Sequence, residues 1–396
     1  MRIIKRTLRK QLQASAKQFP VITVTGPRQS GKTTLLRDMF RDYSYVNLEN
    51  LDQRAAAVED PKAFLNFYGA GGVIIDEAQH VPELFSYLQQ IVDENKKMGQ
   101  YILTGSQNFL LLETISQSLA GRVAVHHLLP FEMEELSAGV TDRQALDQVL
   151  FTGLYPAIYD REIPADKYFP SYLQTYIERD VRSLKRIGDL NTFRRFLQLC
   201  AGRTGQLLNF ASIANELGVD AKTVRSWISI LEASFIVFLL PPYFKNFNKR
   251  IVKHPKLYFY DTGIVCSLLG LTDSVQLSTH YLRSSLFENL IIAEYVKRKH
   301  HEGRPPGCYF WRDKSGNEVD LLIDDKGKLT AIEIKSGTTI RDDFFKNLIR
   351  FQKFSGILQE DCCLVYGGET DMPRKNAQVY GWRTFSENCP FFHRLC

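Results

Sequence analysis

The stretch VITVTGPRQSGKTTLLRDMF, Val21 to Phe40, decides the fold. An apolar run of strand-forming residues leads into Gly26-Pro27-Arg28-Gln29-Ser30-Gly31-Lys32-Thr33, and a helical pattern follows. The pattern is G-x-x-x-x-G-K-[ST], which carries meaning only with a strand before it and a helix after it. Gly26 and Gly31 let the backbone turn its N–H groups toward phosphate oxygens, helped by the helix N-terminus. The spacing therefore predicts an ATP phosphate loop contacted by Gly26, Pro27, Arg28, Gln29, Ser30, Gly31, Lys32, Thr33 and Thr34. Within it, Lys32 reaches the β- and γ-phosphates and Thr33 ligates Mg²⁺.

Outward from the loop, YSYVNLEN (Tyr43 to Asn50), GGVIIDEAQH and QYILTGSQN read as further strands with helical stretches between them. Strands alternating with helices imply an α/β fold with a doubly wound parallel sheet. Val73 to Asp76 is a buried strand that delivers Asp76 to hold the Mg²⁺ water shell, and Glu77 polarises the attacking water as general base. An Asp-Glu pair after an apolar run is commonplace alone; beside an upstream phosphate loop it is not. Ser106, in Thr104-Gly105-Ser106-Gln107-Asn108, sits where a γ-phosphate sensor would lie, and a simple polar turn explains it equally. Arg122, in SLAGRV, either stabilises developing phosphate charge, in cis or in a neighbouring subunit, or forms a surface salt bridge.

The 396 residues allow two or three domains, and 44% hydrophobic with 24% charged residues is ordinary for a globular protein. A net charge of +6 permits nucleic-acid contact without requiring it. The basic residues gather in two places: Arg2, Lys5, Arg6, Arg9, Lys10 and Lys17 in a helical N-terminal stretch, and Lys245, Lys249, Arg250, Lys253 and Lys256 among aromatics. Seven cysteines without a C-x-x-C pair argue against a disulfide framework or zinc site and for a reducing compartment. With no apolar h-region at the start and no span-length apolar run, the expectation is a cytoplasmic protein with no membrane partner.

Farther on, LNFASIANELGVDAKTVRSWISILEAS places Ala214, Gly218 and Val224 at helix-turn-helix spacing. Leu217, Val224, Trp227, Ile228 and Leu231 form its core face, leaving Lys222, Arg225 and Ser229 opposite, where DNA would be met. Such units also serve only as packing elements. In GNEVDLLIDDKGKLTAIEIKSG, a hairpin looping over Asp325 to Lys328 puts Asp324 opposite Leu329 and Asp320 opposite Glu333. Side-chain alternation then groups Asp320, Glu333 and Lys335 on one face and Val319, Leu321, Ile323, Ile332 and Ile334 on the other. Two carboxylates across a strand pair can hold Mg²⁺ or Mn²⁺, with Lys335 positioning or deprotonating water and Glu288 arriving from a preceding helix. A solvated hairpin face is the plainer alternative.

The ordered run GPRQSGKTT, YVNLEN, VIIDEAQ, ILTGSQ, SLAGR, LLPFEMEEL, YIERDV, LYFYDTGIV, LFENL, WRDKSGNEVDLLI and AIEIKSG resembles the prokaryotic AAA-like ATPases that carry a C-terminal domain of unknown function. The resemblance spans nearly the whole chain. It implies an AAA-like ATPase domain at 1–160, a helical and winged-helix-like domain at 161–275, and a restriction-endonuclease-like α/β domain at 276–396. It also implies ATP and Mg²⁺ as cofactors, a family-type arginine at Arg122, and a nuclease-like set of Glu288, Asp320, Glu333 and Lys335. DNA, a second copy of the chain and an unidentified protein partner are the expected partner classes. The function expected is a switch or motor ATPase; the alternatives are an ATP-regulated metal-dependent DNase or a nucleotide-sensing scaffold.

Overall fold

The computed structural model describes residues 4–105, 115, 118–136, 144–176, 189–243 and 254–390. The chain packs as two compact units. The first comprises residues 1–131 with 233–235 and 299–304, and the second comprises 132–232, 236–298 and 305–396.

The first unit is built on a five-stranded, all-parallel sheet: β1 (Val21–Thr25), β2 (Ser44–Asn47), β3 (Val73–Asp76), β4 (Tyr101–Gly105) and β5 (Val123–His127), in the order β2-β3-β4-β1-β5. β1, β3 and β4 are buried along their whole length, as strands covered on both faces must be. Helices α1 (Arg9–Ser15), α2 (Lys32–Met39), α3 (Leu51–Glu59), α4 (Pro61–Gly69) and α5 (Leu84–Asn95) supply the covering layers. Leu8, Leu12, Leu35 and Leu36 pack with Ile22, Val24, Ile74 and Ile102 in one layer. Leu65, Phe85 and Leu88 pack with Val21, Val73, Ile75 and Leu103 in the other. Parallel strands put all their C-terminal ends along one edge, where the loop after β1 and Asp76 at the end of β3 come together. β5 is an addition to the four strands read from sequence.

The second unit contains a helix-turn-helix. Phe210–Leu217 is capped by Asn209, whose side chain accepts from Ser212 N at 3.1 Å. It ends at Gly218 with φ 70°, a left-handed turn that glycine adopts without a Cβ clash. Ala221–Ala233 follows, burying Val224, Trp227, Ile228 and Leu231 and exposing Lys222, Arg225 and Ser229, the faces expected from the sequence. Next comes an antiparallel pair, β6 (Val237–Leu240) and β7 (Lys256–Phe259). Of the basic run between them, Lys245, Lys249, Arg250 and Lys253 lie outside the described residues. Lys256 is not a solvated cation but a buried one.

The rest of this unit is a six-stranded mixed sheet, β8 (Cys308–Arg312), β9 (Glu318–Asp325), β10 (Lys328–Lys335), β11 (Cys362–Tyr366), β12 (Met372–Arg374) and β13 (Ala377–Gly381), ordered β12-β13-β11-β10-β9-β8. The β9–β10 pairing runs from Asp325↔Lys328 to Leu321↔Ile332, the register read from sequence. Its turn is tighter than the expected four-residue loop. Only Lys326 and Gly327 are unpaired, with φ 53° and 92°, which is the backbone sign a two-residue hairpin turn needs. Neither hairpin face is solvated. Leu322, Leu329 and Ala331 pack under Phe345, Leu348 and Phe351, and the alternate residues Leu321, Ile323, Ile332 and Ile334 are buried as well.

Candidate functional site

At the C-terminal edge of the first sheet, the loop Gly26–Gly31 leaves β1 with three residues at positive φ: Gly26 at 147°, Gln29 at 59° and Gly31 at 92°. Gly26 is required sterically too, since a Cβ there would lie 2.1 Å from the Leu128 carbonyl oxygen. Lys32 opens α2 and is buried, donating to the carbonyls of Gly26 and Pro27 at 2.9 Å each. Arg6 ties the loop down from outside by donating to Ser30 O at 2.9 Å and Leu129 O at 2.6 Å, with its guanidinium over the Phe131 ring. Arg6 belongs to the basic N-terminal stretch, yet it is buried.

The loop and the acidic strand are joined directly. Thr33 Oγ1 donates to Asp76 Oδ2 at 2.7 Å, and Tyr45, from β2, donates to the same oxygen at 2.8 Å. Asp76 Oδ1 accepts from Glu77 N at 3.1 Å. Glu77 itself sits in the left-handed region, φ 53° and ψ 45°, an uncommon conformation for a residue with a side chain. Gln79 Nε2 donates to Glu77 Oε2 from the short turn Ala78–His80, which fixes the carboxylate's direction. Thr104, at the end of β4 between β1 and β3, keeps a buried hydroxyl with no partner among the described residues. Ser106 lies outside the described residues.

Arg122 is placed differently from a cis catalytic group. It precedes β5, which runs parallel to β1, so it lies at the N-terminal edge of the sheet, the length of a five-residue strand from the phosphate loop. There it makes a two-pronged pair with Asp93, Nε–Oδ1 2.6 Å and Nη2–Oδ2 2.8 Å.

Behind the sheet edge, burial pushes the His126 and His127 imidazoles down to about 4. His126 Nε2 lies 2.9 Å from Ser15 Oγ, and His127 Nδ1 lies 2.7 Å from Thr25 Oγ1.

In the second unit, carboxylate oxygens of Glu288, Glu318 and Asp320 lie within 4.8 Å of one another. Glu333 and Lys335 adjoin them: Lys335 Nζ is 2.6 Å from Glu333 Oε1 and 3.7 Å from Asp320 Oδ2, while Ile334 N donates to Asp320 Oδ2 at 2.8 Å. The structure thus brings together all four residues expected from sequence and adds two that were missed. Glu318 was legible, since it is two residues from Asp320 on the same strand and therefore on the same face. Lys256 was not, because no local pattern announces a partner 32 residues away. Its ammonium lies 2.9 Å from Glu288 Oε1 and also pairs with Glu318. Tyr258 donates to the same Glu288 oxygen, and Arg312 Nη1 lies 3.2 Å from Glu318 Oε2.

Burial, then the charge of Asp320, pushes the Glu333 carboxyl up to about 8, so it is mainly protonated at neutral pH. Three carboxylates then face three cations, Lys256, Arg312 and Lys335. The oxygen donors suit a hard divalent ion. Two of them are already neutralised from within, so such an ion would compete with Lys256.

A family model described as an AAA domain matches residues 18–137. Two described as domains of unknown function, DUF8612 and DUF4143, match residues 143–275 and 283–385. An uncharacterised protein of Mycobacterium tuberculosis is 30% identical over 86% of this chain and 75% of its own length. Another, of Methanocaldococcus jannaschii, is 22% identical over 94% of this chain and 87% of its own. A Walker-type ATPase of Pyrococcus abyssi matches in structure with a TM-score of 0.45 at 16% identity, covering 67% of this chain and 96% of that one. Among the described residues no helix is long and apolar enough to cross a membrane. On the sequence matches, and with a phosphate loop and an aspartate strand joined through Thr33 and Asp76, the chain belongs to the family of prokaryotic AAA-like ATPases with a C-terminal domain of unknown function.

Proposed function

We propose that the protein is a Mg²⁺-dependent ATPase that works as a conformational switch or motor module. The observation that carries this is the 2.7 Å hydrogen bond from Thr33 to Asp76, which unites the two halves of a nucleotide site across β4. The donors fit the ion: a hydroxyl and a carboxylate, both oxygen ligands, stand together beside the phosphate loop. Thr33 and Asp76 would hold Mg²⁺, which would supply positive charge to offset that of the phosphates. Lys32 exchanges the Gly26 and Pro27 carbonyls for the β- and γ-phosphates. Glu77 takes the proton of a water whose oxygen bonds to the γ-phosphorus as the bond to the bridging oxygen breaks, and ADP leaves with the electron pair. Lys32→Ala is expected to abolish turnover; a variant that retained full turnover would overturn the reading.

The modular division 1–160, 161–275 and 276–396 belongs to the same proposal; three successive family matches support three parts, the second match beginning at residue 143. The winged-helix-like reading of the middle part draws support from the helix-turn-helix and the β6–β7 pair after it, with Lys222, Arg225 and Ser229 as its DNA-facing residues. Self-association would give Arg122 a phosphate to meet in a second copy.

A second reading, an ATP-regulated DNase, is favoured by one observation, the convergence of Glu288, Glu318 and Asp320 beside Lys335. Incubating plasmid DNA with Mg²⁺ or Mn²⁺, with and without ATP, tests it against Asp320→Ala. Cleavage lost in that variant makes the cluster an active site. Absence of cleavage leaves ATP hydrolysis as the chemistry and the last domain as a binding module.

A further inference from the structure

Two hydroxyls from different elements meet on one oxygen of Asp76: Thr33 at 2.7 Å and Tyr45 at 2.8 Å. Thr33 belongs to the phosphate loop motif. Tyr45 does not, and nothing in that motif predicts it. Its position follows from the sheet: β2 pairs in parallel with β3, Tyr45 opposite Ile74 and Asn47 opposite Asp76, so the phenol can extend along the strand to the carboxylate. The ring is held at its other end as well. Thr33 and Arg37 are four residues apart and so share a face of α2. The Arg37 guanidinium stacks over Tyr45 at 4.9 Å from the ring centre.

A carboxylate serving a Mg²⁺ water shell must keep a fixed orientation, because the ion tolerates little departure from octahedral geometry. The groups that fix a metal-serving carboxylate govern affinity for the metal more than affinity for the rest of the ligand. We infer that Tyr45 is the positioning residue of the magnesium site: its hydroxyl holds Asp76 in the orientation that receives Mg²⁺ with ATP. The inference rests on the nucleotide-hydrolysing reading above and adds a residue to it.

The experiment measures binding of a fluorescent, slowly hydrolysed ATP analogue to the full chain and to Tyr45→Phe, first in EDTA and then across a Mg²⁺ titration. The variant removes one oxygen, and its affinity in EDTA is expected to match the wild type, which also verifies folding. The Mg²⁺ concentration giving half of the metal-dependent gain in binding is expected to rise about tenfold or more. Turnover is expected to recover at high Mg²⁺. Superimposable Mg²⁺ curves overturn the inference, and so does an equal loss of binding with and without the metal, which marks a merely structural tyrosine. A wild type that fails to bind nucleotide overturns the ATPase reading itself, and this inference with it.

Discussion

The ammonium of Lys256 lies 2.9 Å from the carboxylate of Glu288 and is shared with Glu318. The lysine comes from β7, the acids from the helix Arg283–His301 and from β9, so one buried cation closes three elements around an acidic cluster. Lys256→Met keeps the apolar stem and removes the charge. Breaking a buried pair in this way is expected to cost about 3–5 kcal/mol, read from urea unfolding. Millimolar Mn²⁺ should recover part of that loss and shift the wild type much less. Equal metal shifts in both proteins would contradict the neutralising role.

Gly26 combines a φ of 147° with a carbonyl 2.1 Å from where a Cβ would stand. Gly26→Ala is therefore expected to lose nucleotide binding and at least about 1 kcal/mol of stability. Isothermal titration and thermal melting check the two parts separately. Gly71, where nothing lies near an added Cβ, provides the control, and Gly71→Ala should bind normally.

Glu77 and Gln79 should separate chemistry from binding. Glu77→Gln removes the base and is expected to lower turnover about 10²- to 10⁴-fold while nucleotide affinity holds. Gln79→Ala leaves the base but releases its direction. Its turnover should fall by a smaller factor, on the order of tenfold, again without weaker binding. Single-turnover kinetics at saturating ATP would detect both.

Two buried groups pull the pH dependence of stability in opposite directions. His126 titrates near 4 in the folded chain and near 6.5 unfolded, so the unfolded state binds the extra proton between those values. Its contribution is present above about pH 6.5 and is lost as pH falls toward 4. Glu333 titrates near 8 folded and near 4.5 unfolded, so its contribution is full below about 4.5 and lost as pH rises through 8. Stability should peak between these limits. Glu333→Gln should remove the downward slope from about pH 4.5 to 8 and leave the His126 loss at acid pH, as measured by urea midpoints at pH 5, 6.5 and 8.

Arg122 offers a negative prediction. Because it pairs with Asp93 at the far edge of the sheet, Arg122→Ala should leave turnover unchanged in dilute, monomeric protein. A loss confined to concentrations at which the chain self-associates would give the arginine its role in a neighbouring site.

What could be read from sequence divides along the range of the interactions. The phosphate loop, the Asp76 strand, the helix-turn-helix face and the β9–β10 register all rest on spacings within about twenty residues, and the structure carries the elements and the pairing they imply. Tyr45, Lys256 and Arg6 rest on contacts 31, 32 and 123 residues apart. No periodicity encodes such pairs. A basic residue bound for a buried carbonyl or carboxylate looks the same in one dimension as a solvated one, so the sequence shows Arg6 and Lys256 only as members of basic clusters. Arg122 differs again: its motif context left a phosphate role and a surface ion pair both open, and the direction of β5 sets where it lies.

Arg6 also bears on where a working fragment can begin. The AAA family match starts at residue 18, yet the guanidinium that caps the Ser30 and Leu129 carbonyls belongs to residue 6. An excised segment starting at the family boundary would carry the whole phosphate-loop motif and still leave those two oxygens without their donor. Cutting this chain by alignment and cutting it by hydrogen bonding give different proteins, and only the second keeps the loop's outer brace.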